Sequence, residues 1–146
     1  MMQTTAAQKP DMQRELKLNH VGFNVKNFEE SLNFYTKTMG FREAFTLRDA
    51  DGKPTLSYIQ VSRETFLELA PATAERAPGL THFSFESPDV SATVTKLRSA
   101  GVKIEDARVS RTNTLLTSVI DPNGIRFEIA QLPPDSLPRK AMESWK

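Results

Sequence analysis

The segment Leu18-Asn19-His20-Val21-Gly22-Phe23 returns as Leu80-Thr81-His82-Phe83-Ser84-Phe85, with leucine, histidine and phenylalanine matched at an offset of 62 residues. The stretches after the two copies match as well. After the first, Asn27 can cap a helix with Glu30 three residues on, and Phe28, Leu32 and Tyr35 recur at helical spacing up to Met39 and a stop at Gly40. After the second, Asp89 or Ser91 can cap, Val90, Val94 and Leu97 form the apolar stripe, and Gly101 is the stop. Each helix precedes three β-like stretches: Arg42 to Arg48, Thr55 to Val61 and Thr65 to Ala70, then Val102 to Val109, Thr114 to Ile120 and Ile125 to Ala130. Asp121-Pro122-Asn123-Gly124 is a turn between the last two, because Pro presets φ while Asn and Gly tolerate positive φ. A strand-helix-three-strand unit with one apolar face is too small to be stable alone, so the two units must pair their sheets, with helices outside.

The expected fold is therefore α+β: two βαβββ modules, about 16–72 and 79–131, in one domain spanning 16–131. Residues 1–15 read as a flexible tail, and 132–146 as an extension in which Arg139 to Trp145 form a short amphipathic helix over an open end. A chain of 146 residues can bury a real core without staples. It has no Cys, which excludes disulfides, thiolate ligands and cysteine nucleophiles. With 19 basic against 18 acidic residues, it carries no field suited to nucleic acid. Met1 to Asp11 lacks an apolar signal-peptide segment and no run of about 18 apolar residues occurs, so the expectation is a cytoplasmic protein away from the membrane.

Strand alternation puts His20, Gly22 and Asn24 on the face opposite Val21 and Phe23, and His82 and Ser84 on the face opposite Phe83 and Phe85. Glu68, between Leu67 and Leu69, and Glu128, between Phe127 and Ile129, repeat at an offset of 60. The apolar faces belong against the helices, which leaves the His and Glu faces lining the concave side. A lone strand His is usually just a satisfied polar residue. Here the chain's only two histidines fall at equivalent sites, each with a Glu at the equivalent site of its module's last strand. That correlation points to a divalent metal held by His20, Glu68, His82 and Glu128, with Ni, Zn or Co favoured and Mn or Fe open. The chemistry expected is proton transfer beside a polarised oxygen, through an enediolate.

These features, together with Asn33-Phe34-Tyr35-Thr36-Lys37, Met39-Gly40-Phe41 and the ending Asp121-Pro122-Asn123-Gly124 to Glu128-Ile129, resemble the vicinal oxygen chelate superfamily of glyoxalases, bleomycin resistance proteins and extradiol dioxygenases. The resemblance covers residues 16 to 131 and implies a metal in a cup of paired sheets, with a small molecule bound through vicinal oxygens. Extradiol dioxygenases use two His and one Glu, methylmalonyl-CoA epimerases usually have Gln at the position of Glu68, and bacterial glyoxalase I has Glu there. The ligand set is thus most similar to glyoxalase I, a lactoylglutathione lyase. That implies Glu128 as the base that moves the proton of a hemithioacetal, with Glu68 the runner-up.

Asn24 stands where glyoxalase I commonly has an Arg for a glutathione carboxylate, and Ala70-Pro71-Ala72 stands where an Asn is expected, so the thiol is left open. Asn24, Arg48, Arg63 and Arg111 are weak candidates for holding substrate. An Fe(II) dioxygenase, an epimerase and a non-enzymatic binding or resistance protein remain alternatives. A homodimer is expected, since glyoxalase I-like relatives join one chain's first module to the partner's second. Pro71 to Gly79 is long enough for either a shared or a single-chain site.

Overall fold

The computed structural model describes residues 10–146; the first nine residues of the tail lie outside the described residues. The elements run β1 (Lys17–Val25), α1 (Phe28–Asn33), β2 (Arg42–Arg48), β3 (Pro54–Gln60), β4 (Phe66–Pro71), β5 (Gly79–Glu86), α2 (Val90–Ser99), β6 (Arg108–Val109), β7 (Leu115–Ile120), β8 (Arg126–Gln131) and α3 (Leu137–Glu143), preceded by a 3-10 turn at Met12–Arg14. The strand-helix-three-strand unit occurs twice, and one curled sheet joins both copies in the order β2-β3-β4-β1-β5-β8-β7-β6. The modules meet where β1 pairs antiparallel with β5. Within each module the first strand runs parallel to the last, β1 with β4 and β5 with β8.

The caps act as their residue types require. Asn27 accepts a hydrogen bond from the Glu30 amide at 3.1 Å, and Asp89, not Ser91, accepts from the Ala92 amide at 3.0 Å. Past α1 the chain runs through a π-helical turn, Phe34–Thr38, before Gly40 takes φ +77° and ends it. Phe28 and Leu32 of α1 pack against Ile59 and Leu69, while Val90 and Val94 of α2 pack against Val119 and Ile129. These two helices cover the outer face.

Two elements depart from expectation. The strand expected over Val102 to Val109 shrinks to Arg108–Val109, because side chains take the carbonyls a ladder would use. Arg98 donates to the Ile104 carbonyl at 3.0 and 2.8 Å, and Thr117 donates to the Glu105 carbonyl at 2.8 Å. The C-terminal helix does cover an end of the sheet, but on the concave face. Ala141 and Met142 of α3 are buried with Leu56, Tyr58, Phe66, Ala130 and Leu132, and Arg139 is ion-paired to Glu86 at 2.5 Å. The cup is therefore part core and part site. Among the described residues, no helix is long and apolar enough to cross a membrane.

Candidate metal centre

Because β1 and β5 are central and antiparallel, the two histidines of the repeat converge at the module junction. His20 Nε2 lies 3.1 Å from His82 Nε2. Glu68 Oε2 and Glu128 Oε2 each lie 3.6 Å from His20 Nε2; His82 Nε2 is 3.8 Å from Glu68 Oε1 and 3.6 Å from Glu128 Oε2. All four side chains come from a single chain. His20, His82 and Glu128 form the tightest group, with one donor atom from each lying within 4.8 Å of the others. Glu68 is turned partly aside, toward Tyr58, whose phenol donates to Glu68 Oε2 at 2.8 Å.

The surroundings decide which atoms are free to ligate. Asn19 donates its amide to the Glu64 carbonyl at 3.4 Å, which leaves Asn19 Oδ1 facing His20 Nδ1 at 2.9 Å. An amide oxygen only accepts, so His20 carries its proton on Nδ1 and points a lone pair from Nε2 into the centre. Thr81 Oγ1 sits 2.8 Å from His82 Nδ1 and can accept in the same way. Burial holds the His82 pKa below its ordinary value, outweighing the pull of Glu128 and Glu68. Burial pushes the Glu128 carboxyl up, but the nearby imidazoles of His20 and His82 and the Arg126 guanidinium outweigh it, so Glu128 is held below the usual range and ionised. Arg126 Nη2 grips Glu128 Oε1 at 2.5 Å. Burial, reinforced by the Glu68 carboxylate, pushes the Tyr58 phenol up and keeps it protonated.

This donor set fits a divalent cation. Ligands about 2.1 Å from an ion and at right angles lie about 3.0 Å apart, close to the imidazole separation. Two lone pairs and two carboxylates aimed at one point need a cation to be at rest, while the partner hydrogen bonds on His20 and Glu68 are of the kind that orient metal ligands. One further group fits this reading. Ser84, fully buried and paired across the sheet with His20 on one side and Glu128 on the other, has the only buried side-chain polar atom without a hydrogen-bond partner among the described residues.

Glu68, His20 and Glu128 open onto a cavity of about 200 Å³, walled by Leu56, Leu116, Ala130, Leu132 and Pro138 and reached by Arg108 and Arg111. Of the weak sequence candidates, Arg111 lines this cavity, whereas half-buried Asn24 donates to the Ala77 carbonyl and exposed Arg48 to the Gly52 carbonyl, both outside its lining. Arg63 serves through its backbone carbonyl, which accepts from Gln60. Asn19, Tyr58, Gly22 and Arg126 were not singled out by the sequence. Only Arg126 left a usable signal there, two residues before Glu128 and thus on its face of the strand.

The fold has relatives among solved structures. A methylmalonyl-CoA epimerase from Mycobacterium tuberculosis is 23% identical with a TM-score of 0.67, covering 80% of this chain and 88% of its own. A Streptomyces coelicolor methylmalonyl-CoA epimerase in complex with 2-nitronate-propionyl-CoA is 20% identical with a TM-score of 0.67, covering 84% and 98%. A hypothetical protein from Bacillus halodurans C-125 is 15% identical with a TM-score of 0.66, covering 81% and 95%. These likenesses establish the glyoxalase-like α+β fold. With a family model matching residues 17–129, the chain belongs to the Glyoxalase/Bleomycin resistance protein/Dioxygenase superfamily.

Proposed function

We propose that the protein is a metal-dependent lyase or isomerase that moves a proton on a carbon next to an oxygen of a small substrate. The observation behind this reading is the convergence of two imidazole lone pairs and two differently supported carboxylates on one point beside a cavity. His20, His82 and Glu128 would hold a divalent ion, with Glu68 in reach of both imidazoles. Such an ion, when bound, polarises substrate oxygens and acidifies the neighbouring C–H.

The chain's own groups divide the remaining work. Glu128, gripped by Arg126 and flanked by both imidazoles, is a fixed carboxylate. Glu68 has the looser setting. Its side chain is 18% exposed against 9% for Glu128, it faces the cavity, and a neutral phenol holds one oxygen. Glu68 is therefore our choice for the base, accepting the proton at a carboxylate oxygen and returning it to the adjacent carbon, with Glu128 kept as ligand. This exchanges the roles the family resemblance implied. Leu56, Leu116 and Leu132 line the cavity beside the two carboxylates.

A hemithioacetal rearranging to a thioester, as in glyoxalase I, is the first substrate reading, and Glu68 itself supports it. The epimerases among the similar structures support a second, epimerisation of an acyl thioester, which needs the same proton removal. The test is to load the protein with Ni, Zn or Co, then supply methylglyoxal hemithioacetals of several thiols, or methylmalonyl-CoA, in D2O. Deuterium appearing at the reacting carbon by NMR, lost in Glu68→Gln with metal content retained, is expected. Turnover without exchange into the substrate carbon, or oxygen uptake during turnover, would move the assignment to another chemistry of the superfamily. Metal loss in Glu68→Gln together with metal retention in Glu128→Gln would reverse the two roles.

A further inference from the structure

The cavity wall opposite the carboxylates comes from one hairpin. β6 ends at Val109, the chain turns through Ser110 to Asn113, where Asn113 takes φ +59°, and β7 begins at Leu115. The turn is locked in three ways. Ser110 and Thr114 close it by a backbone bond of 2.8 Å; the hydroxyls of Ser110, Thr112 and Thr114 lie 2.6 to 3.0 Å apart in a triangle; and the Leu137 amide donates to the Thr112 carbonyl at 2.9 Å, tying the hairpin to the start of α3. Thr112 and Thr114 are only 5% and 4% exposed although their hydroxyls line a cavity. From this fixed platform Arg108 and Arg111 reach the same space as His20 and Glu128.

Among the described residues neither guanidinium, both of them exposed, is ion-paired. The arginines in ion pairs among the described residues are Arg14, Arg98, Arg126 and Arg139. Among the described residues the Arg111 guanidinium makes a single bond, to the Thr55 hydroxyl at 3.1 Å, and that of Arg108 makes none. Two uncompensated guanidiniums beside buried hydroxyls on a rigid turn present forks of N–H donors that match the oxygens of an anion. Glu68 is hydrogen-bonded to Tyr58 and Glu128 to Arg126, and neither carboxylate is ion-paired with Arg108 or Arg111.

We propose that Arg108 and Arg111, on the Ser110–Thr114 hairpin, form an oxyanion subsite that selects small substrates carrying a carboxylate or phosphate group beside the vicinal oxygens. This deepens the reading of the site as a metal-dependent proton-transfer centre and rests on it for the word substrate. The cavity of about 200 Å³ has room for a compact acidic group of the substrate. The arginines bind and orient that acid; they are not the proton-transfer groups.

Calorimetry with nickel, and then with three hydroxamates on the nickel-loaded protein, tests the subsite. Acetohydroxamate is neutral, succinomonohydroxamate adds a carboxylate, and phosphonoacetohydroxamate adds a phosphonate. At least one charged probe should bind about ten- to a hundredfold more tightly than acetohydroxamate, and which one does so identifies the anion. Arg108→Ala and Arg111→Ala should each erode that preference while leaving nickel affinity as it was. Equal binding of all three probes, or a preference that survives both substitutions, overturns the proposal. Failure of nickel to bind would sink the metal reading instead. The arginines are then tested in the metal-free protein by following their side-chain 15N signals during titration with inorganic phosphate and with succinate; shifts at Arg108 and Arg111 would sustain the subsite and unmoved signals would overturn it.

Discussion

Gly22 faces His82 directly across the β1–β5 pairing, and a methyl group there would remove one of the two imidazoles from the centre. A Cβ on Gly22 would stand 2.3 Å from His82 Cε1, 2.5 Å from Nδ1 and 3.0 Å from Nε2. Ordinary contact begins near 3.4 Å, so in Gly22→Ala the ring must withdraw by about 1.1 Å at Cε1. A functional site tolerates roughly 0.5 Å of misplacement in a group it depends on. The backbone itself does not resist the change, because Gly22 is not among the positive-φ glycines, and Ala in a strand interior is favoured over Gly by about 0.5–1 kcal/mol. The expected variant therefore keeps its fold and loses metal affinity by at least the roughly 10- to 100-fold seen when a ligand's orientation is disturbed. Calorimetry with nickel or zinc measures the loss. NMR of the imidazole nitrogens locates it, since His20 and His82 are the only histidines. Metal affinity within a factor of two of wild type, with the His82 ring signals unmoved, would refute the reasoning that the Gly22–His82 contact builds the centre.

Three other outcomes rest on the same geometry. Tyr58→Phe removes the donor that orients Glu68 Oε2, a hydrogen bond to a charged group of about 1.5–3 kcal/mol, so the carboxylate loses its fixed position and proton exchange into substrate should slow markedly while metal content, measured by elemental analysis, stays stoichiometric. In the metal-free protein His82 is held below its ordinary 6.5 and Glu128 below 4.5, so the folded state binds fewer protons than the unfolded one. Urea midpoints should accordingly hold above about pH 7, fall as pH drops below 6.5, and fall again below 4.5, with His82→Gln abolishing the first step. Finally, because the four side chains meet within one chain, mixing His20→Ala with Glu128→Ala under exchanging conditions should restore no high-affinity nickel binding in the expected homodimer, whereas recovery of one site per mixed dimer would show that modules are exchanged between chains.

The symmetric part of this centre was legible because a repeat multiplies a weak signal. One histidine on a polar strand face says little, but His20 and His82 at matching sites, with Glu68 and Glu128 at matching sites, say that four donors share a face. The supporting groups were not legible, for identifiable reasons. Asn19 precedes His20, and strict alternation puts it on the opposite face. A register shift between Leu18 and His20 in the β1–β5 pairing breaks that alternation and lets both side chains reach the cavity. Tyr58 lies ten residues before Glu68 and becomes its neighbour only through the β3–β4 register, where Tyr58 and Glu68 are cross-strand partners. The clash that makes Gly22 necessary likewise depends on β1–β5 register. The retreat of β6 to two residues reflects competition from the Arg98 and Thr117 side chains, which no local pattern announces.

The features that the repeat duplicates and those it leaves single are physically different. The four donors obey the pseudo-symmetry, but their supports break it. The residue before each histidine differs, Asn19 against Thr81, so one imidazole has its tautomer dictated by an amide oxygen and the other faces a hydroxyl that can either donate or accept. The residue two before each glutamate differs as well: Phe66 enters the core beneath α3, whereas Arg126 grips Glu128. Glu68 takes its hydrogen bond instead from Tyr58, a neutral donor on a neighbouring strand. Two chemically identical side chains thus both reach the imidazoles, yet one is gripped by a guanidinium and the other is turned partly aside toward a phenol. On the proposed reading the carboxylate gripped by the guanidinium stays as ligand, and Glu68, held by one neutral donor, is the group that takes the proton of the substrate carbon. Matched supports would leave the two glutamates interchangeable; the unequal supports distinguish them, which is what the proposed division into ligand and base rests on, and they arise in the parts of the two modules where the sequences diverge.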